Sequence, residues 1–220
     1  MKTTAIIVAA GAGLRFNSDT PKQFLNIAGK PIVVHSIERF AAAPSVDSII
    51  AVLPSQYVTE LGGLDVSKPV RIVSGGATRA QSVANGLGAV DDDVDIVAVH
   101  DGARPLVSVE EIERTVTRAA ETGAACLVAR VTDTIKTVRG DEISGTLDRD
   151  KLRRALTPQV FKLEVLRRAF EGVELGDGVT DECYLVERLG HPIAFVEGSS
   201  RNIKITHPED IAWAEGMLKS

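Results

Sequence analysis

Short, unbroken apolar runs alternate with longer amphipathic stretches along this chain, and that alternation restricts the possible folds more than any other feature. The runs fall at residues 5–9, 48–53, 70–73, 96–100 and 124–129, and each is rich in Val, Ile or Ala. Continuous apolar runs of this length are how strands covered on both faces read. Helix candidates lie at 31–42, 56–61, 78–89 and 109–122. Ser108 with Glu111 three residues later is a capping-box signature for the last of these, and Pro31 suits a first helical turn. Repeated strand–helix alternation predicts a mostly parallel sheet with helices on both faces, an α/β architecture of Rossmann-like type.

The rhythm changes after residue 129. Residues 133–146 hold β-formers around Arg139-Gly140-Asp141-Glu142, which predicts a hairpin. Such a hairpin either projects as an arm toward a partner subunit or lies on its own domain. Further helices are expected at 162–171, at 181–189 with Thr180 as its cap, and at 208–218. Strands are expected at 193–196 and, briefly, at 202–206. The chain has no internal repeat, low-complexity segment or linker. It therefore reads as a single domain over 1–220 with a β-arm at about 133–149.

Composition narrows the function classes. A chain of 220 residues with 44% hydrophobic and 25% charged residues has the makeup of a globular protein, not of a disordered, collagen-like or disulfide-scaffold one. The net charge of -5 argues against a nucleic-acid partner. No apolar run reaches the roughly 18 residues of a membrane span. The first residues fit a buried strand entering a Gly-rich loop better than a signal peptide, because the basic segment is thin and the apolar stretch short. Cys126 and Cys183 stand far apart in no paired motif, which predicts reduced, buried thiols and a cytoplasmic location.

The first strand runs into Ala9-Ala10-Gly11-Ala12-Gly13-Leu14-Arg15-Phe16. Small residues let backbone N–H groups approach an anion closely. The dinucleotide fingerprint fails at Phe16, where its third small residue should stand, and no Walker lysine–hydroxyl pair follows. What distinguishes the loop is a pair of cations, Arg15 and then Lys22 in Thr20-Pro21-Lys22-Gln23-Phe24. A backbone cradle with two cations suits a triphosphate, whereas a Gly-rich loop alone is only a tight turn.

With these residues the chain resembles the nucleotide-diphospho-sugar transferase type of domain. More closely, it resembles the 2-C-methyl-D-erythritol 4-phosphate cytidylyltransferase (IspD) family. Six later blocks carry the resemblance: Gly75-Gly76-Ala77-Thr78-Arg79-Ala80-Gln81-Ser82, His100-Asp101-Gly102-Ala103-Arg104-Pro105, Asp133-Thr134-Ile135-Lys136, Leu156-Thr157-Pro158-Gln159, Thr180-Asp181-Glu182 and Asn202-Ile203-Lys204-Ile205-Thr206. The resemblance implies transfer of a cytidylyl group from CTP to methylerythritol 4-phosphate with release of pyrophosphate, using Mg2+, in non-mevalonate isoprenoid synthesis.

It also implies the site. Arg15, Lys22, Lys204 and Asp101 match the catalytic positions. Ala9, Ala10, Gly11, Gly13, Gly75, Gly76, Ala77, Ser82 and Gly102 complete the CTP site, with cytosine read by the loop at 75–77 and by Ser82. Arg104, Thr134, Arg149 and Thr157 match the acceptor-phosphate residues. Several of these come from a neighbouring chain's arm in the family, so the resemblance implies a homodimer. It also implies magnesium held mainly by the triphosphate, with Asp101 nearby and no dedicated protein cage. Ala77 departs from the family, where an acidic residue is frequent, and Gly102 stands where alanine is frequent.

The chemistry agrees with the absence of a Ser-His-Asp set. A phosphate monoester has a second pKa near ~6, so the nucleophile is already largely ionised at neutral pH and needs no general base. Strand alternation turns His100 away from Asp101, toward a core role. Other readings stay open from sequence alone. Arg79 either anchors its loop or caps a helix, Arg149 fits a surface ion pair in Asp148-Arg149-Asp150-Lys151, and Thr157-Pro158 fits a simple turn. A ribitol 5-phosphate cytidylyltransferase shares most of these motifs, and a nucleotide-sensing domain without turnover is a further rival.

Overall fold

The computed structural model describes residues 1–11, 20–58, 64–176 and 178–219. Its main sheet, among these residues, has seven strands: β1 (Thr3–Val8), β4 (Ser48–Leu53), β5 (Val70–Ser74), β6 (Ile96–Asp101), β7 (Ala124–Arg130), β10 (Arg153–Lys162) and β11 (Ala194–Glu197). They lie in the order β11-β7-β10-β6-β1-β4-β5. Every pairing is parallel except those of β10, which runs antiparallel to both β6 and β7.

Strand alternation divides the core between the two faces. Ala5, Ile7, Ile49, Ala51, Ala98 and Leu127 point to one face, covered by α1 (Ile32–Ala42) and α3 (Val109–Thr122). Ile6, Val8, Ile50, Val52, Val97 and Val99 point to the other, covered by α2 (Arg79–Gly88), α4 (Leu163–Phe170) and α5 (Glu182–Arg188). Double coverage explains why these strands read as continuous apolar runs. A small third cluster of Ile27, Ile32, Ile205 and Ala214 joins β2 (Asn26–Ile27), which pairs with β3 (Lys30–Pro31), and the start of α1 to α6 (Glu209–Leu218). Among the described residues no helix is long and apolar enough to cross a membrane.

Local signals account for most boundaries. The Ser108–Glu111 capping box forms as expected, and Gly123 ends α3 in the left-handed conformation with φ 90°. The hairpin forms as β8 (Lys136–Arg139) and β9 (Glu142–Thr146), with Arg139 opposite Glu142 across the turn. Four expectations need correction. Pro31 precedes α1 as its N-cap instead of standing in the first turn. The cap of α5 is Asp181, whose side chain accepts from the Tyr184 amide, and not Thr180. Residues 202–206 form no strand; they are held as a loop by side chains, described below. The helix expected at 56–61 is a single 3-10 turn, Ser55–Tyr57, and residues 59–63 lie outside the described part.

The ten-residue strand β10 was not anticipated. Arg153-Arg154 and Thr157-Pro158 interrupt its apolar pattern, and its register shifts between Ala155 and Gln159. Pro158 follows a cis peptide bond in the irregular stretch, where a missing backbone N–H is tolerated.

Candidate active site

The site forms at the carboxyl ends of β1 and β6, where the order of the strands in the sheet reverses. β1 has β4 on one side and β6 on the other, and Val8 stands beside Asp101 in register. The strands diverge into different connections there, leaving the crevice in which open α/β sheets bind ligands. Two glycines close this floor. A Cβ on Gly75 would collide with the Cβ of Ala10, and one on Gly102 would stand 2.9 Å from the Cβ of Ala9. The loop at 75–77 thus packs directly onto the loop that leaves β1. Gly13 and Arg15 lie outside the described residues.

Asp101 is the electrostatic centre. Alternation on β6 sends it toward α2 and α5, while His100 faces α1 and meets the Phe40 ring at 4.8 Å. The Asp101 carboxylate receives Arg79 Nε on Oδ1 at 3.0 Å and Lys204 Nζ on Oδ2 at 2.9 Å, with Arg104 Nε 3.6 Å from Oδ2. Burial alone would raise its pKa, but the charges of Arg79, Lys204 and Arg104 outweigh burial and hold it well below the usual carboxylate range. Arg79 also forks onto Glu182, Nη1 to Oε1 at 2.7 Å and Nη2 to Oε2 at 3.0 Å. Burial disfavours its charge, but Asp101 and Glu182 prevail and raise its pKa. Removing one member of such a buried pair costs about 3–5 kcal/mol.

His100 is fully buried and neutral. A carbonyl only accepts, so Nε2–H donates to the Arg104 carbonyl at 3.1 Å. The Thr157 hydroxyl then donates to Nδ1 at 3.0 Å while accepting the Asp101 amide at 3.1 Å. Burial pushes the His100 pKa down to about 4. Thr157 therefore fixes the end of β6 instead of serving only as a turn.

Lys204 owes its place to its neighbours. Ile205 is buried in the third cluster and its N–H reaches Ala103 O at 2.9 Å. The buried Asn202 donates to Thr157 O at 2.9 Å, and its own carbonyl accepts from Arg104 Nη1 at 2.9 Å. Lys22 begins a 3-10 turn and donates from Nζ to Ile205 O at 2.6 Å. Gln23 next to it binds Ala9 O at 2.6 Å and Gly11 O at 2.9 Å, which ties the two cation-bearing segments to the first loop. Ser82 uses its hydroxyl within its own loop, accepting from Gly76 N at 3.1 Å and donating to Thr78 O at 2.9 Å; Ala77 N donates to Gln81 Oε1 at 2.9 Å.

The sequence-expected residues thus fall into two groups. Ala9, Ala10, Lys22, Gly75, Gly102, Asp101, Arg104, Thr157 and Lys204 converge on the crevice, with Gly11 held there by Gln23 and with Gly76, Ala77 and Ser82 in the loop that begins at Gly75. Thr134 and Arg149 do not: both are exposed on the arm, and Arg149 donates to Thr132 O at 2.7 Å. The ion pair in that charged run is Asp148–Lys151 at 3.5 Å, without Arg149.

Comparison with known proteins gives the family. The family model described as 2-C-methyl-D-erythritol 4-phosphate cytidylyltransferase (IspD) matches residues 3–220. The chain belongs to the IspD family. A relative of that name from Endomicrobium trichonymphae is 45% identical, covering 100% of both chains. A bifunctional IspD/IspF enzyme from Desulfotalea psychrophila is 43% identical over 100% of this chain, which spans 58% of that protein. The solved IspD of Francisella tularensis superposes with a TM-score of 0.84 at 32% identity, covering 99% of this chain and 100% of that one. A 4-diphosphocytidyl-2C-methyl-D-erythritol synthase from Anaerococcus prevotii gives 0.88 at 28%, covering 100% and 96%. This IspD-family chain is accordingly a nucleotidyltransferase that joins CTP and methylerythritol 4-phosphate in isoprenoid synthesis, and the ribitol phosphate reading is not favoured.

In the sequence, Glu182 stands in Thr180-Asp181-Glu182 with no partner in view, and Arg79 fits two readings. An acidic residue at the start of a helix reads as a dipole partner. Only the tertiary contact across 103 residues shows that both of its oxygens face one guanidinium.

Proposed function

We propose that the chain performs cytidylyl transfer by holding two phosphorylated reactants among fixed cations, with no proton acceptor in the transferring step. An ionised acceptor-phosphate oxygen attacks the α-phosphorus of CTP, the new P–O bond forms, and the bond to the bridging oxygen breaks with the electron pair leaving on pyrophosphate. Charge builds on the equatorial oxygens and on the leaving group, so positioning and positive charge supply the catalysis. The observation that carries this reading is the convergence of Lys204, Arg104 and Arg79 on Asp101 at the mouth of β1 and β6, with Lys22 joined to Ile205.

Lys22 binds the triphosphate in this reading, Arg15 has the same role by its place in the family motif, and Lys204 exchanges Asp101 for phosphate oxygens. The glycine loop at 75–77 reads cytosine through its backbone, with Ser82 holding the loop's shape. Arg104 binds the acceptor phosphate from the floor, and Thr157 keeps its partner Asp101 in register.

The residues present fit magnesium carried by the nucleotide. Among the described residues no group of three or more His, Cys, Asp or Glu side chains is arranged to hold a metal. Asp101 offers one hard carboxylate oxygen, the donor type magnesium takes alongside substrate phosphates. When bound, the ion supplies neutralisation of the triphosphate charge.

The active unit in this proposal is a homodimer whose arms exchange, each supplying Thr134 and Arg149 to the other body's acceptor site. Support comes from the arm's own surface: Val138 and Ile143 point to solvent on a two-stranded ribbon, an arrangement that needs a partner for stability. Cys126 and Cys183, both buried and unlinked, support a reducing compartment such as the cytosol.

The test is pyrophosphate release from CTP, magnesium and methylerythritol 4-phosphate. Turnover is expected with this acceptor, and Lys22→Ala is expected to lose about a thousandfold in kcat while unfolding like the parent, the scale of one lost transition-state donor. CTP binding without pyrophosphate release would show a sensing domain instead.

A further inference from the structure

The reaction just described makes no use of Glu182, yet its side chain is completely buried at the base of the site. Both carboxylate oxygens go to one guanidinium, Arg79 Nη1 and Nη2, and the remaining nitrogen, Nε, donates to Asp101 Oδ1. We propose that Glu182 and Arg79 form a positioning pair, in which Glu182 fixes the Arg79 guanidinium so that Arg79 sets the orientation of the Asp101 carboxylate. The inference rests on the role given to Asp101 above.

The geometry leaves little freedom. A guanidinium is planar, and a carboxylate that takes both terminal nitrogens fixes that plane. Only Nε then remains for Asp101, so Oδ1 is held inward and Oδ2 is turned toward Lys204 and Arg104. Both anchors sit on helix starts that are themselves secured. Arg79 follows the N-cap Thr78, whose side chain accepts from Gln81 N. Glu182 follows the N-cap Asp181, and Gln159 Oε1 from β10 accepts the amides of Glu182 at 3.1 Å and Cys183 at 2.9 Å.

Charge supports the same role. Without Glu182, the whole Arg79 charge would draw on Asp101 and compete with Lys204 for it. Arg79 also begins the helix that follows the loop at 75–78, so one pair links the cytosine-reading loop to the phosphate-binding cations.

Glu182→Gln preserves shape but turns an amide NH2 toward one guanidinium nitrogen, which opens the fork. The expected result is a kcat about a hundredfold lower, as for a small misplacement of reacting groups, with KM for both substrates changed less than about threefold. Arg79→Lys keeps one charge but cannot bridge two carboxylates, and a similar loss is expected. The double variant should lose no more than either single one, because the two act as a unit. An unchanged kcat per folded molecule in Glu182→Gln, or losses that multiply in the double variant, overturns the proposal.

If a single variant fails to fold, Arg79→Met combined with Glu182→Met replaces the buried ions by apolar side chains, an exchange that often preserves stability. Folding with kcat still depressed is expected; recovery of kcat to the parent value refutes the positioning role. Asp101→Asn separates the two layers of the argument. An inactive Asp101→Asn beside a fully active Glu182→Gln removes this inference alone, whereas full activity in Asp101→Asn removes the role of Asp101 and this inference with it.

Discussion

The floor of the crevice and the hairpin arm are built on opposite terms. In the floor, the ionic side chains answer one another inside the chain: Asp101 has three cations, Arg79 has two carboxylates, and Thr157 serves both His100 and the Asp101 amide. On the arm, the hydrogen bonds are satisfied locally but the apolar side chains are not. Val138 is 69% exposed and Ile143 68%, while Arg149 bonds to the Thr132 carbonyl beside it. The floor is preorganised by a single chain. The arm carries the side chains proposed for the acceptor site on a ribbon whose Val138 and Ile143 are not covered among the described residues, which is the reason for proposing that another copy covers them.

The largest effect expected on the arm strikes that difference directly. Val138→Glu with Ile143→Glu leaves the floor untouched but puts charge where a partner would bury apolar surface. We expect the protein to sediment as a monomer and to lose more than about fiftyfold in kcat/KM for the acceptor, because desolvating two carboxylates at an interface is costly. CTP binding, which the proposal assigns to the floor, should change little. A dimer with full activity would erase the contrast between the two regions.

A smaller effect sharpens it. Lys22→Ala damages the body's half of a site and Arg149→Ala the arm's half. In an exchanged dimer, a site is intact only when an undamaged body meets an undamaged arm. Random mixing therefore restores about a quarter of the parent activity, from two proteins that are each inactive, through a symmetric twofold assembly. Subunit exchange, verified by mixed labels, with no recovered pyrophosphate release would place Arg149 in its own chain's site.

The same contrast marks what the sequence could show. The strands at 48–53 and 96–100 and the helix at 109–122 were legible because two-sided burial and capping act through neighbouring residues. The hairpin was legible from its turn. β10 was hidden because its irregular middle, with Pro158 and the register shift, breaks both periods that betray a strand. The loop at 202–206 looked like a strand because Ile203 and Ile205 alternate, but Ile205 is buried against α6 and Asn202 against Thr157, so tertiary contacts set its shape. The family motifs located Asp101 and Lys204; their pairing, and the Glu182–Arg79 fork behind them, exist only once helices distant in sequence meet. Thr134 and Arg149, expected at the acceptor phosphate, are exposed on the arm, and the single chain does not bring them to the crevice.

A pH effect probes how tightly the floor is sealed. His100 has no solvent contact, and its buried ring has a pKa of about 4 against an ordinary value near 6.5. The unfolded chain therefore takes up a proton between those values while the folded one does not. Stability from this group is fully present above pH ~6.5 and falls as the pH drops toward ~4, by about 3 kcal/mol in all, and then changes no further. Asp101 works in a different window: its pKa is depressed, so its contribution is lost only as the pH falls below the usual carboxylate range. Chemical denaturation at pH 7 and pH 4 should therefore show a loss in the parent that His100→Gln lacks, since glutamine cannot charge. Equal losses in the two proteins would mean that the floor admits water or a counter-charge to the imidazole, and the picture of a closed, self-satisfied floor beside an open arm would have to be given up.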